Sequence, residues 1–199
     1  MIDTLLLPHY QRWLSPILNK LSLNRRVTPD KITGAAITLG LFSALALSFK
    51  LNLIAFILLI FSGLCDILDG ALARAQNTQN QWGTVLDIMG DRIVECAIII
   101  GLYAYAPDTR ALLCLLMLIS NLICLSSFFV VGILTPNLSQ KSFHYSKGLI
   151  ERFECFLLFF VMIVFPNAFL VVSLIYILMV VATAIIRLYQ FYKNIQHYA

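Results

Sequence analysis

Four aspartates, Asp66, Asp69, Asp87 and Asp91, interrupt long apolar stretches of this chain. Inserting one Asp at the centre of a membrane helix costs roughly 2.5–3.5 kcal/mol. Four close together would cost about 10 kcal/mol before their mutual repulsion is counted. Their spacing brings them together. Asp66, Asp69, Gly70, Ala73 and Arg74 fall on one stripe of a helix, and Gly83, Asp87 and Asp91 fall on one stripe of the next. A short polar loop, Gln76 to Gln81, joins the two stretches, so an antiparallel hairpin is expected. A hairpin centred near residues 78 and 79 sets Asp66 against Asp91 and Asp69 against Asp87. Both rungs then lie roughly 6–13 Å below the loop at 1.5 Å per residue.

Carboxylates so crowded cannot all ionise without cations. Oxygen-only ligands select hard ions, Mg²⁺ or Mn²⁺, over zinc or copper. Two such ions side by side suit in-line displacement at a phosphate ester. Gly70 and Gly83 remove side chains where a bulky ligand must approach the backbone. Arg74, one turn nearer the loop, suits a diphosphate. The other six acids are Asp3, Asp30, Asp108, Glu151 and Glu154 near helix ends, and Glu95 inside a span.

The elements that carry these residues follow from composition. The chain has 199 residues, of which 60% are apolar and 12% charged. Soluble domains average about 25% charged, so a soluble, disordered or nucleic-acid-binding protein is excluded. Six apolar runs are long enough to cross a bilayer: about 32–49, 53–75, 83–106, 111–134, 149–165 and 169–189. Thr28-Pro29-Asp30 opens the first as N-cap, first helical residue and dipole-compensating acid. Lys50-Leu51-Asn52, Pro107-Asp108, Thr135-Pro136-Asn137 and Pro166-Asn167 mark turns. The expected fold is all-α and polytopic, a single domain over 1–199. Residues 1–27 form an interfacial helix, 28–190 a six-helix bundle and 191–199 a tail. In the first segment Tyr10, Trp13, Leu14, Ile17, Leu18 and Leu21 make the apolar face.

Twelve Lys and Arg residues fall on the N-terminal side of the membrane, and only Lys50 and Arg110 on the other. Both termini and the acidic cluster are therefore expected in the cytosol. The five cysteines have no C-x-x-C pair and no histidine at a metal-site interval, so neither disulfides nor zinc are expected.

The run Asp66-x2-Asp69-Gly70-x2-Ala73-Arg74-x8-Gly83-x3-Asp87-x3-Asp91 resembles the signature of the CDP-alcohol phosphotransferase family at every position. A chance match at a given start is roughly one in 10⁹. The resemblance implies transfer of a phosphatidyl or phosphoryl-alcohol group from a CDP-linked donor to an acceptor hydroxyl, with release of CMP. It implies two divalent cations and a homodimer in the bacterial inner membrane, with the site open to cytosol and bilayer and CDP-diacylglycerol as donor. Asp66, Asp69 and Asp87 match metal ligands. Asp91 matches the general base and is counted with the metal residues as well. Asp69, Gly70, Ala73, Arg74 and Gly83 match CDP-binding positions. Asp30 departs from the family, where many members have Asn.

The resemblance also bears on the acceptor, taken as a polyol or a phosphorylated polyol such as glycerol 3-phosphate or inositol phosphate. Arg187 looks like an arginine used by members that take a phosphorylated polyol. Lys147 and Arg152 stand at the matching start of the fifth span. Cys155 stands where such members have a second Arg, and Ser126 to Val130 supplies no Lys. All three basic residues also fit a positive flank that snorkels to the interface. Two other functions share buried acids: a divalent-cation carrier and an intramembrane prenyltransferase. The acids cluster near the cytosolic edge, and only about 20 residues separate the two halves of the motif. A carrier wants polar groups through the full depth, and prenyltransferase motifs lie on well-separated helices.

Overall fold

The computed structural model describes residues 27–134 and 152–198. The expected interfacial helix up to residue 26, and Lys147, lie outside the described residues. Among those described there are six α-helices: α1 (Pro29–Ser48), α2 (Asn52–Ala75), α3 (Gln81–Tyr105), α4 (Pro107–Leu134), α5 (Arg152–Val164) and α6 (Phe169–Tyr198). A 3₁₀ turn, Pro166–Ala168, links the last two. The segments Pro29–Ser48, Asn52–Ala75, Pro107–Leu134 and Pro166–Gln196 are long and apolar enough to cross a membrane. Helix α3 has comparable length, 25 residues, but carries Asp87, Asp91, Arg92 and Glu95.

The helix ends are written locally. Pro29 occupies the first turn of α1 with Asp30 beside it, and Thr28 takes the extended N-cap position, although its side chain makes no cap bond. Helix α1 closes with Lys50 at φ 59°. There Leu51 N–H donates to Ala46 O, and Lys50 N–H to Leu47 O, each at 2.9 Å. This is a Schellman end. Helix α2 ends the same way: Asn77 has φ 53°, and Thr78 N–H reaches Ala73 O at 3.0 Å. Asn80 then caps α3, its side-chain oxygen accepting from Gly83 N–H at 2.6 Å. The expected start at residue 83 thus moves back to Gln81.

One expected boundary is corrected. Pro107 does not end a span and begin a loop; it opens α4, so Ala106 alone separates α3 from α4. Proline is favoured there because the first helical N–H has no intrahelical partner. Helix α6 continues through the expected tail 191–199 as far as Tyr198. No Gly or Pro follows Tyr189, and Gln196 donates to the Tyr192 hydroxyl one turn back at 2.8 Å.

The chain divides into two compact units that meet between Ala111 and Leu112. In the first, α1 packs on both α2 and α3, whereas α2 and α3 run apart from each other. The expected hairpin therefore has splayed arms with α1 set against both. Buried serines tie α1 to α2. Ser43 Oγ donates to Ala55 O and Ser62 Oγ to Ala36 O, both at 2.7 Å. Small residues bring α1 onto α3: a Cβ at Gly101 would lie 2.6 Å from the Ala44 carbonyl oxygen, and one at Gly40 would lie 2.6 Å from Val94. In lipid such close approach replaces the hydrophobic driving force that helices have in water. At the end of the unit remote from the α2–α3 loop, Lys50 and Arg110 lie 5.7 and 4.5 Å from the Tyr105 ring centre.

In the second unit Phe159 stacks near Tyr176, with ring centres 5.3 Å apart and both side chains fully buried. Large apolar side chains such as Phe42, Leu53, Leu112 and Leu178 face outward, while Ser43, Ser62, Ser173 and Thr183 are buried. This pattern, greasy outside and polar within, is that of a protein solvated by lipid.

Replacing Gly101 by Val is expected to cost about 1–3 kcal/mol through the clash with the Ala44 backbone. A clear fall in melting temperature of the detergent-solubilised protein checks it; an unchanged melting temperature refutes the close approach.

Candidate active site

The splayed arms of α2 and α3 meet through their acids. One carboxylate oxygen each from Asp66, Asp69 and Asp87 lies within 4.8 Å of the others. Asp69 is buried, at 5% exposure, and accepts a hydrogen bond from the Thr33 hydroxyl of α1. The helix periodicity explains the convergence of Asp66 and Asp69, which sit one turn apart on α2. Asp91 stands outside this group. Of the matched rungs expected from the hairpin, Asp69 meets Asp87, and Asp66 joins the same trio.

Next to the trio lies a cavity of about 210 Å³. Its walls come from Pro29, Asp30 and Thr33 of α1, from Asp69, Gly70, Ala73 and Arg74 of α2, and from Gly83, Thr84 and Asp87 of α3. Thr78, Gln79 and Asn80 of the loop close it. Every residue of the motif with an expected nucleotide role, Asp69, Gly70, Ala73, Arg74 and Gly83, thus borders one space. The glycines keep it open: a Cβ at Gly70 would lie 3.5 Å from Arg74 Nη1, and one at Gly83 would lie 3.7 Å from Asp30 Oδ1. Anything larger would fill the cavity.

Sequence reasoning missed Thr33 and Asn80. Thr33 follows Pro29 by one helical turn, so it had to share the face that Pro29 and Asp30 turn toward the loop. Asn80 carried the ordinary N-cap signal, an Asn directly before a helix.

The donor set suits a divalent cation. Three oxygen donors within 4.8 Å resemble the carboxylate sites that hard cations choose, and no sulfur or imidazole competes among them. Asp66, Asp69 and Asp87 are the residues that would hold such an ion. When bound, it supplies Lewis acidity toward phosphoryl oxygens and compensates the clustered charge.

Comparison with known proteins agrees with this geometry. The family model for CDP-alcohol phosphatidyltransferase matches residues 26–188. The chain belongs to the CDP-alcohol phosphatidyltransferase family. The match spans both units and decides against the carrier and prenyltransferase alternatives. The chain is 31% identical over 150 residues to the inner membrane protein YnjF of Escherichia coli, covering 72% of each. It is 31% identical over 146 residues to the phosphatidylinositol phosphate synthase of Mycolicibacterium smegmatis, covering 71% of this chain and 63% of that protein. The crystal structure of Mycobacterium tuberculosis phosphatidylinositol phosphate synthase with CDP-DAG bound superposes with a TM-score of 0.68 and 27% identity, over 91% of this chain and 94% of that one. A second structure of that protein, in complex with manganese and citrate, gives 0.66 and 26%, over 89% and 88%. This CDP-alcohol phosphatidyltransferase is a multi-pass membrane protein.

The residues expected to read the acceptor are described only in part. Lys147 and the Arg152 side chain lie outside the described residues. Arg187 of α6 is buried, at 8% exposure, so it does not snorkel. Its Nη1 donates to Cys124 O and Ser127 Oγ of α4, each at 3.0 Å. The guanidinium also lies 5.3 Å from the Phe128 ring centre. Cys155 is buried.

Replacing Gly83 by Val is expected to weaken CDP binding at least tenfold, because the branched side chain enters the cavity. Calorimetric titration with CDP, alongside an unchanged melting temperature, checks this. Unaltered CDP affinity would place the nucleotide elsewhere.

Proposed function

We propose that this enzyme transfers a phosphatidyl group from CDP-diacylglycerol to a hydroxyl of a polyol or phosphorylated polyol, releasing CMP. The single observation that carries the reading is the carboxylate trio of Asp66, Asp69 and Asp87 opening onto a cavity that Gly70, Arg74 and Gly83 line. Such a cavity accepts a diphosphate at its acidic end and a nucleoside between its glycines. The mycobacterial relative whose structure holds CDP-DAG, and its manganese complex, support the same donor and ion class.

In this mechanism Arg74 places its guanidinium against the diphosphate, where a planar fork matches two oxygens. Asp66, Asp69 and Asp87 hold divalent cations, two Mg²⁺ or Mn²⁺ ions being the expected complement. The Thr33 hydroxyl fixes one oxygen of Asp69. Asp91 is the general base. It takes the proton of the acceptor hydroxyl as that oxygen bonds to the β-phosphorus. The bond between the β-phosphorus and the bridging oxygen breaks, and the electron pair leaves with CMP.

The acceptor set is Arg187 with Lys147 and Arg152. Arg187 is already anchored on α4, and a rigid guanidinium makes a more selective anion partner than a mobile one. The twelve-to-two distribution of basic residues supports cytosolic termini and a cytosolic active site in a bacterial inner membrane. The likeness to family members supports a homodimer.

Asp91→Asn is expected to lower CMP release from CDP-diacylglycerol by about 10²–10⁴-fold, the usual share of a general base, while Mn²⁺ uptake persists. Retained turnover would remove Asp91 from the chemistry. For the acceptor, the purified enzyme is offered glycerol 3-phosphate, inositol phosphate, inositol, serine and phosphatidylglycerol in turn. Mass spectrometry of the lipids is expected to show one new product together with CMP. CMP release with none of them overturns the proposed reaction.

A further inference from the structure

Of the fourteen Lys and Arg residues, the sequence sets only Lys50 and Arg110 on the membrane face opposite the acidic cluster. The structure brings both to one ring. Lys50 Nζ lies 5.7 Å and the Arg110 guanidinium carbon 4.5 Å from the centre of Tyr105, so two like charges share one aromatic neighbour. Arg110 is buried and donates to Leu102 O, near the end of α3, at 3.4 Å. That contact complements the negative end of α3 and gives Arg110 a structural role. It accounts neither for Lys50 nor for the Tyr105 hydroxyl. Lys50 is exposed and occupies the left-handed position that closes α1, at φ 59°, where glycine or asparagine fits with less strain. Among the described residues Lys50 forms no ion pair, the Tyr105 hydroxyl no hydrogen bond, and the neighbouring acid Asp108 pairs with neither.

An ammonium and a phenolic O–H beside a guanidinium call for an anion with several acceptor oxygens. Position says which anion. Helix α2 begins two residues after Lys50 and runs for 24 residues to the loop beside the acidic cluster, about 36 Å at 1.5 Å per residue. That length crosses the roughly 30 Å hydrocarbon core and puts Lys50 at the headgroup level of the far leaflet. Phe49, Leu51 and Leu53, exposed around Lys50, offer acyl chains an apolar surface. We propose that Lys50 and Tyr105 bind the phosphate of a phospholipid in the leaflet opposite the acidic site. The Lys50 ammonium and the Tyr105 hydroxyl contact phosphate oxygens, and the buried Arg110 charge strengthens the local positive potential. This site takes no part in the transfer reaction.

The test is native mass spectrometry of the full-length protein in detergent, titrated with phosphatidylglycerol. Lys50→Gly removes the charge and relieves the left-handed backbone, so it folds at least as well as the parent. It is expected to weaken binding of the tightest phosphatidylglycerol at least fivefold. Tyr105→Phe keeps the ring and both cation contacts and removes only the hydroxyl. A loss of at least twofold is expected, whereas a merely structural ring leaves binding unchanged. Diacylglycerol, which lacks the phosphate, is expected to bind the parent and Lys50→Gly alike. Equal phosphatidylglycerol affinity in the parent and both variants overturns the proposal. So does an equal loss of diacylglycerol on Lys50→Gly, because the contact would then be apolar. Displacement of the lipid by millimolar inorganic phosphate also overturns it, since free phosphate would then be the ligand. A parent protein that retains no phosphatidylglycerol refutes the site outright.

Discussion

Negative charge concentrated in a low-dielectric layer is the constraint around which the first unit is built. Apolar helices alone cannot stabilise Asp66, Asp69 and Asp87 with their oxygens within 4.8 Å. Each neighbouring feature lowers that cost or uses it. The Thr33 hydroxyl donates to Asp69. Arg74 stands in the same cavity wall. The splay of α2 and α3 over α1 keeps the acid-bearing backbones apart and leaves a cavity between them.

The parts of this arrangement that were legible beforehand are those governed by short-range periodicity. Stripe membership follows from 3.6 residues per turn, so the spacing of Asp69, Gly70 and Arg74 was enough to place them on one wall. Turn chemistry was also readable, as Lys50-Leu51-Asn52 and Thr28-Pro29-Asp30 show. What escaped were effects of tertiary packing. Nothing in the α2–α3 hairpin announces that α1 spreads its arms, because that depends on Gly40 and Gly101 receiving α1 and α3 at close range. Thr33 was overlooked because it lies 36 residues from its partner Asp69.

The second unit follows a different logic. Its polar groups are distributed along the facing sides of α4 and α6 in place of a single cluster. The Tyr176 hydroxyl donates to Asn121 Oδ1 at 2.8 Å, and Arg187 reaches Cys124 and Ser127 farther along the same helices. Hydrogen bonds of this kind select one register between two greasy helices, since a slip strands a buried donor. Arg187 is therefore held with its rotamer already restricted by α4.

The seating of α1 against both acid-bearing helices makes it the gauge of the catalytic chamber. The width of that rod, set by glycines and alanines along its flanks, fixes how far Asp69 stands from Asp87. Residues along this spacer can thus alter the separation of the acids without touching them.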